Sequence, residues 1–328
     1  MEYNLLIGKK ILITGGLGFI GSNLAEQCLK LGAEVSIYDC LDPRSGGNLY
    51  NISGYKDKVH IILNDIRNFE GLCASVLNQD IIFNCAAYTS HPNAMKEPLI
   101  DIDVNCKGTI NLLEAIKRFN PDAKLVHIGT STQIGKMHGS EVNEFHSEFP
   151  LDMYSANKSV SEKYVLIYGS AYKLQTTVVR LANNFGPRSC IKNPDFGFIN
   201  YFIGLALQQK DIPIFGDGLQ LRNFSYVEDS VNALILAALS EKANGNVLFA
   251  VSDRQYSIKE VTKMLNEIIG GKIKFVPWPE ERKSIEVGDA KISNNKIKEL
   301  LNWHPSFSLE ESLKLTNDYY TRCLDKYL

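Results

Sequence analysis

The sequence predicts an α/β chain: a doubly wound parallel sheet with a smaller mixed α/β lobe toward the C-terminus. Three observations carry this. Short apolar runs alternate with amphipathic stretches through the first half. The first apolar run, residues 10–14, passes through the glycine-spaced segment ITGGLGFIGS (13–22) into a helical pattern. Beyond about residue 180 the alternation loosens into loop and mixed elements. A length of 328 residues suits one large α/β unit with an appended lobe.

The elements follow in order. Residues 10–14, 34–38, 59–63, 81–84, 125–128 and 176–180 read as buried strands. Residues 19–31, 69–77, 100–119 and 154–172 read as helices between them. Strand and helix in alternation imply parallel strands with right-handed crossovers. Residues 183–195, with Gly186, Pro187 and Pro194, read as loop, and 198–208 as a helix. A strand and turn at 212–218, a helix at 229–239 and a strand at 247–251 come next. The helix at 257–269 opens on Ser257 with Glu260 three residues on, a capping box. A strand at 273–276 and helices at 294–301 and 309–322 complete the chain. The expected division is 1–180 for the sheet domain, with 223–251 returning to it, and 181–222 plus 252–328 for the lobe.

Composition narrows the function. The formal net charge is −2 and no dense basic stripe occurs, so neither nucleic acid nor an anionic membrane is expected as partner. No apolar run reaches the ~18 residues that a membrane-spanning helix needs. Seven cysteines lie mostly in apolar segments with no CxxC pair, which points to a reducing, cytoplasmic setting. Six histidines show no metal-ligand spacing, and no metal is expected.

Gly15, Gly18 and Gly21 sit at intervals of three between a strand and a helix. Glycine allows the tight turn and lets backbone N–H groups approach a pyrophosphate at a helix N-terminus, where the dipole favours anions. Phe19 and Ile20 open that helix. Asp39 ends the second strand, where a carboxylate accepts hydrogen bonds from ribose hydroxyls and repels a 2′-phosphate. The pattern is a Rossmann-type dinucleotide fingerprint, with NAD favoured over NADP. Asp65, before Ile66 at the third strand end, is a candidate either for the adenine edge or for a helix N-cap.

Tyr154 and Lys158 lie four residues apart, on one helix face. An adjacent ammonium favours phenolate and makes Tyr154 a usable acid/base. Of fifteen tyrosines only Tyr154 has this partner. The preceding strand runs into Gly129-Thr130-Ser131-Thr132, hydroxyls at the strand end where such sheets bind ligands.

These residues carry a resemblance. TGGLGFIG (14–21), NCAAYTS (84–90), VNCKGTINLLEA (104–115), GTSTQIG (129–135), YSANK (154–158), RLANNFGPR (180–188), FGDGLQLRNFSYVEDSVNALILA (215–237) and LNWHPSFSLEESL (301–313) span nearly the whole chain. The sequence resembles the extended short-chain dehydrogenase/reductases of the nucleotide-sugar epimerase/dehydratase group. The resemblance implies Tyr154 as proton acceptor from a sugar hydroxyl, usually at C4. It implies Lys158 on the nicotinamide ribose and Thr130 on the same sugar hydroxyl. Ala86 would run beside the cofactor, with Thr89 and Ser90 facing the sugar and Ser131 beside it. Asn183 would meet the substrate phosphates, and Arg222 and Arg282 would clamp the diphosphate. Asp229 reads as a helix cap, and His91 and His127 as structural. Relatives of this kind pair helices such as 100–119 and 154–172 across a two-fold. That implies a homodimer, with Val104, Ile110, Leu113, Val160 and Tyr164 supplying apolar contacts.

One departure bears on the reaction. Dehydratases of the group carry an acid pair directly after the threonine; here Ser131 and Thr132 stand there. Neither shuttles a proton as a carboxylic acid does, and Glu141 and Glu144 read as solvated loop charges. The expected chemistry is therefore oxidation at C4 of a nucleotide-diphosphate sugar and return as the 4-epimer. Net C4 oxidation and epimerisation at another carbon are the alternatives within the class. A non-catalytic NAD-binding sensor is the alternative outside it; the intact Tyr154, Lys158 and Thr130 set weighs against that.

Overall fold

The computed structural model describes residues 6–137 and 141–328. Its centre is a seven-stranded parallel sheet: β1 (Lys10–Thr14), β2 (Glu34–Asp39), β3 (Val59–Leu63), β4 (Ile81–Asn84), β5 (Lys124–Thr130), β6 (Gln175–Leu181) and, much later in the chain, a strand at Val247–Ala250. The spatial order is β3-β2-β1-β4-β5-β6 followed by Val247–Ala250. The order reverses between β1 and β4, and ligands bind outside the strand ends at such a switch point.

The two faces are covered by different helices, and the strand alternation decides which side chain meets which. Ile11 and Ile13 of β1 face one core and Leu12 the other. The first core takes Leu24, Ala25 and Cys28 of α1 (Phe19–Lys30). It also takes Val231, Leu234 and Ile235 of the helix Val227–Leu239. The second core takes Leu72 of α2 (Phe69–Ser75) together with Leu112, Leu113 and Ile116 of the helix Gly108–Phe119. Val165 of the helix Met153–Tyr172 joins it. Every such fully buried aliphatic side chain stabilises by roughly 1.5–3 kcal/mol relative to exposure.

The helix expected at 100–119 is present but not uniform. It begins at Pro98–Asp101, widens into a π turn at Ile102–Lys107 and continues as Gly108–Phe119. Asn105, in the wide turn, bonds both main-chain groups of Tyr88, accepting from its N at 3.0 Å and donating to its O at 2.9 Å. That tertiary pairing pins the loop after β4 and holds the bulge in place.

The first core runs on without interruption into the C-terminal lobe. Ile199 and Phe202 of Phe198–Leu207, Val261 and Leu265 of Ile258–Ile268, and Leu313 and Tyr320 of Leu309–Thr321 belong to it. The lobe carries a parallel pair, Asp211–Phe215 with Lys272–Val276, and an antiparallel pair, Leu221–Asn223 with Gln255–Ser257. The Ser257–Glu260 capping box is present. Among the described residues no helix is long and apolar enough to cross a membrane.

Candidate active site

The turn after β1 shows why glycine is needed. Gly15 has φ +68°, and a Cβ there would stand 2.7 Å from the backbone N of Ala86. A Cβ on Gly21 would stand 2.3 Å from the Gly15 carbonyl oxygen. The helix thus packs directly on the turn, and Gly18, at the N-cap of α1, lines a cavity with Phe19 and Ile20. Backbone donors at a helix N-terminus suit a pyrophosphate.

Asp39, at the end of β2, lines the same cavity. Its carboxylate accepts from Leu17 N and Leu41 N, each at 2.9 Å. Burial pushes its pKa up, and these backbone donors pull against that. The lone pairs left over suit two vicinal ribose hydroxyls. Asp65, Ile66 and Ala86 complete this wall. Asp65 does not cap a helix: Asn68 caps α2, while Asp65 accepts two bonds from the Arg67 guanidinium at 2.6 and 2.9 Å. That guanidinium holds the Asp65 carboxyl below its usual range. These residues fit a dinucleotide: two glycines that no side chain can replace, a helix N-terminus and an acid at the neighbouring strand end.

The cavity, of about 350 Å³, continues along the strand ends to Thr130, Ser131, Tyr154 and Lys158. Thr130 ends β5 and caps a short turn, its N donating to Gln133 Oε1 at 2.8 Å. Gln133 Nε2 donates to Glu162 at 3.0 Å, and the buried Arg180 donates to the same carboxylate at 2.7 and 2.6 Å. A buried ion pair thus fixes the threonine turn from behind. Tyr154 stands in the first turn of Met153–Tyr172, which Asp152 caps through Ser155 N at 2.8 Å.

The electrostatics differ from the simple expectation of an ammonium lowering the phenol. Burial first, then Asp101 and Asp152, push the Tyr154 hydroxyl well above its ordinary range, and a hydrogen bond with Thr130 pulls it down. Lys158 is buried one turn on. Its Nζ donates to Ile128 O at 2.5 Å and lies 3.3 Å from His127 Nε2. Burial pulls its pKa down to about 8 against the nearby carboxylates of Asp101 and Glu162.

The residues expected to meet the substrate divide. Thr89, Ser131 and Asn183 line the cavity. Asn183 has φ +31° and donates to Asn223 O at 2.9 Å. Ser90 is turned inward: it is fully buried and caps the helix His91–Lys96 through Asn93 N at 3.1 Å. Arg222 borders a side cavity of about 40 Å³ shared with Ser131 and Asn183. Its guanidinium is bonded to Leu221 O at 2.8 Å and to the Glu286 carboxylate. Arg282 pairs at 2.8 Å with Asp195, which does line the main cavity. Both arginines therefore already hold carboxylates.

Three residues read differently from their sequence setting. His91 lines the cavity, with Nδ1 2.8 Å from Asp152 and its ring edge-on to Tyr154 at 4.7 Å. No local periodicity links positions 61 residues apart, so only folding shows this. His127 stands against Lys158. Asp229 does not cap its helix; its carboxylate accepts from Ser306 N at 2.8 Å and Phe307 N at 3.4 Å and ties the C-terminal segment down. Glu144 accepts from Phe249 N at 2.9 Å, and neither it nor the exposed Glu141 lines the cavity.

Known proteins resemble this chain in sequence and fold. Residues 11–250 match the model of the NAD dependent epimerase/dehydratase family. The UDP-N-acetyl-alpha-D-glucosaminuronate decarboxylase of Bacillus cytotoxicus is 32% identical over 95% of this chain and 98% of its own length. A UDP-glucuronate 4-epimerase of Thermodesulfobacterium geofontis is 31% identical over 93% of this chain and 94% of its own. The UDP-glucose 4-epimerase of Thermus thermophilus, solved in complex with NAD, superposes with a TM-score of 0.85 at 27% identity, covering 96% of this chain and 99% of that one. The chain belongs to the NAD dependent epimerase/dehydratase family, whose members are NAD-dependent, nucleotide-sugar-modifying enzymes.

Proposed function

We propose that this family member oxidises a nucleotide-diphosphate sugar at C4 and returns it as the 4-epimer. One observation carries the reading. Thr130, Tyr154 and Lys158 meet at the end of the dinucleotide cradle, while Ser131 and Thr132 put alcohols where water elimination needs acids. Bound NAD would supply the two-electron acceptor and donor for C4; Gly15, Gly18, Gly21 and Asp39 would hold it. Tyr154 takes the proton of the C4 hydroxyl as the C4–H electron pair leaves, and gives it back on return. Thr130 orients that hydroxyl. A ketone that turns over between the two steps receives hydrogen on its other face. Asn183, Arg222 and Arg282 would bind the diphosphate, the arginines by exchanging Glu286 and Asp195 for phosphate oxygens.

A second reading has a specific support, the likeness to a hexuronate decarboxylase. A C4 ketone makes a C6 carboxylate a β-keto acid. The C5–C6 bond can then break with its electrons drawn toward the ketone oxygen between Tyr154 and Thr130. No acid pair at Ser131 and Thr132 is required. The test is to incubate the enzyme with UDP-, GDP-, CDP- and dTDP-linked hexoses and hexuronates and weigh each product. Unchanged mass with inverted C4 supports epimerisation. Loss of one CO₂ replaces it with decarboxylation, and loss of one water overturns both. Tighter binding of NADP than NAD would overturn the role given to Asp39.

The assembly proposed with this function is a dimer through the paired helices Gly108–Phe119 and Met153–Tyr172. Leu113, one candidate contact, is wholly inside the second core. Leu99, Ile102, Val160 and Ile167 leave apolar surface exposed along this pair and the segment leading into it. A monomer by light scattering at micromolar concentration would overturn the dimer.

A further inference from the structure

Behind Lys158 runs a buried chain of polar side chains that the chemistry above does not use. Thr14, Asn84, His127 and Lys158 are all almost fully buried. They come from β1, β4, β5 and the helix Met153–Tyr172, and Asn84 and His127 are register partners in the sheet. Thr14 Oγ1 donates to Asn84 Oδ1 at 2.8 Å and accepts from Ala86 N at 3.3 Å. Asn84 Nδ2 is 3.0 Å from His127 Nδ1, and His127 Nε2 is 3.3 Å from Lys158 Nζ.

The chain has a direction. With Thr14 donating to Oδ1, the Asn84 amide presents N–H to His127 Nδ1, which accepts. A neutral imidazole then carries its proton on Nε2, facing Lys158. Reversing the amide would leave the Thr14 hydroxyl proton without this acceptor, a costly loss in a buried site. Burial and Lys158 itself hold His127 far below its ordinary pKa, so the ring stays neutral. An N–H aimed at Lys158 suits a free amine, whose lone pair accepts it, and opposes an ammonium. The amine keeps two hydrogens, one for Ile128 O.

We propose that His127 is a positioning residue for Lys158: through the directed chain from Thr14 and Asn84 it fixes the lysine nitrogen and arms it as a proton acceptor behind Tyr154. The other charged or titratable groups facing Lys158 are Asp101 from Pro98–Asp101, Cys106 from the π turn, Cys85 after β4 and Glu162 on its own helix. The carboxylates favour the ammonium, and His127 opposes them. The balance lets Lys158 exchange a proton near neutral pH, where Tyr154 must lose one to act as base. This rests on the catalytic reading of Tyr154 and Lys158 only for its kinetic consequence.

The test uses the purified full chain without cofactor. Nitrogen-labelled histidine, assigned with either His127→Phe or His127→Gln, reports the tautomer of His127 by NMR. The expected state is the Nε2–H tautomer, with no titration between about pH 5.5 and 8. Carbon-labelled lysine reports the titration of Lys158. It should move up by about one pH unit in His127→Phe and return in His127→Gln, whose amide can again present N–H. In turnover, the acid limb of kcat/KM should move up by the same amount, about a tenfold loss on that limb and little change at alkaline pH. An Nδ1–H tautomer in the wild-type chain overturns the proposal even if the Phe variant does not fold. So does a Lys158 titration that is the same in both variants and the wild type. A chain that turns over no nucleotide sugar would sink the proposed function, while these NMR signals would still decide the relay.

Discussion

The cofactor end of the cavity and the region expected to take the substrate are built by opposite means. At the cofactor end the determining contacts are mostly to backbone: Gly21 against Gly15, and Asp39 against the N–H groups of Leu17 and Leu41. In the region expected to take the substrate, where neither arginine lines the main cavity itself, they join side chains far apart in the chain, Arg222 to Glu286 across 64 positions and Arg282 to Asp195 across 87. A backbone cradle has one shape and is ready for its ligand. Side-chain ion pairs can exchange partners, so the second end is able to rearrange when an anion arrives.

The sharpest way to break this contrast is Gly21→Ala. The added methyl meets backbone 2.3 Å away, with no flexible atom to yield. Loss of NAD affinity of at least about 10²-fold is expected, a local close-packing effect well above ordinary surface substitutions. Fluorescence titration checks it, and near-normal affinity would show that the cradle is softer than drawn.

Tyr154→Phe probes the junction between the ends. Turnover should fall by at least about 10²-fold with NAD still bound, because the ring stays and only the proton acceptor goes. Thr130→Val should cost less, since that hydroxyl orients and does not ionise. Turnover near the wild type in Tyr154→Phe would move the base elsewhere, with His91 on its Asp152 partner as the next candidate in the wall.

A pH effect tests a long-range contact outside both regions, that of Asp229 with Ser306 and Phe307. Burial raises the Asp229 carboxyl from 3.8 to about 6. The folded chain therefore holds a proton there that the unfolded chain has released between about pH 4 and 6. Stability from this group is present at low pH and is lost as pH rises through 6, by on the order of 3 kcal/mol. Depressed carboxylates such as Asp152 act in the opposite sense, so the quantity to read is a difference. Denaturant midpoints of wild type and Asp229→Asn should converge at low pH and separate in favour of the variant above pH 6. Parallel curves would remove the effect.

The smallest effect is expected from Arg222→Gln. If its guanidinium exchanges Glu286 for a phosphate, KM for the nucleotide sugar should rise by about tenfold with NAD affinity unchanged, the size of one charge-assisted bond. A fall in melting temperature with unchanged KM would make Arg222 a strut of the lobe.

Much of this was legible in order along the chain. Apolar runs marked all six early sheet strands: central strands such as β1 and β4, covered on both faces, leave a near-continuous apolar trace, whereas β3, expected to be buried, lies at the sheet edge and is only partly covered. The glycine spacing marked the cradle because close backbone approach tolerates only glycine. The Ser257–Glu260 box was readable because its bonds close within one turn. The π turn was not, since Asn105 within it bonds Tyr88, a partner outside the helix. Ser90 looked like a sugar contact beside Thr89, yet its hydroxyl caps a helix too short to leave a periodic signal.

The sequence by itself determined which segments become the early strands, the glycine turn and the Tyr154–Lys158 helix face, because each rests on a local pattern or on residue types no other could replace. Only the tertiary structure decided what surrounds them: that His91 meets Asp152, that Arg222 and Arg282 already hold carboxylates, and that Lys158 turns to His127 and Ile128. Those contacts join positions between 30 and 87 residues apart. No periodicity spans such gaps. Their partners are chosen by where the parallel strands end and which helices cross above them.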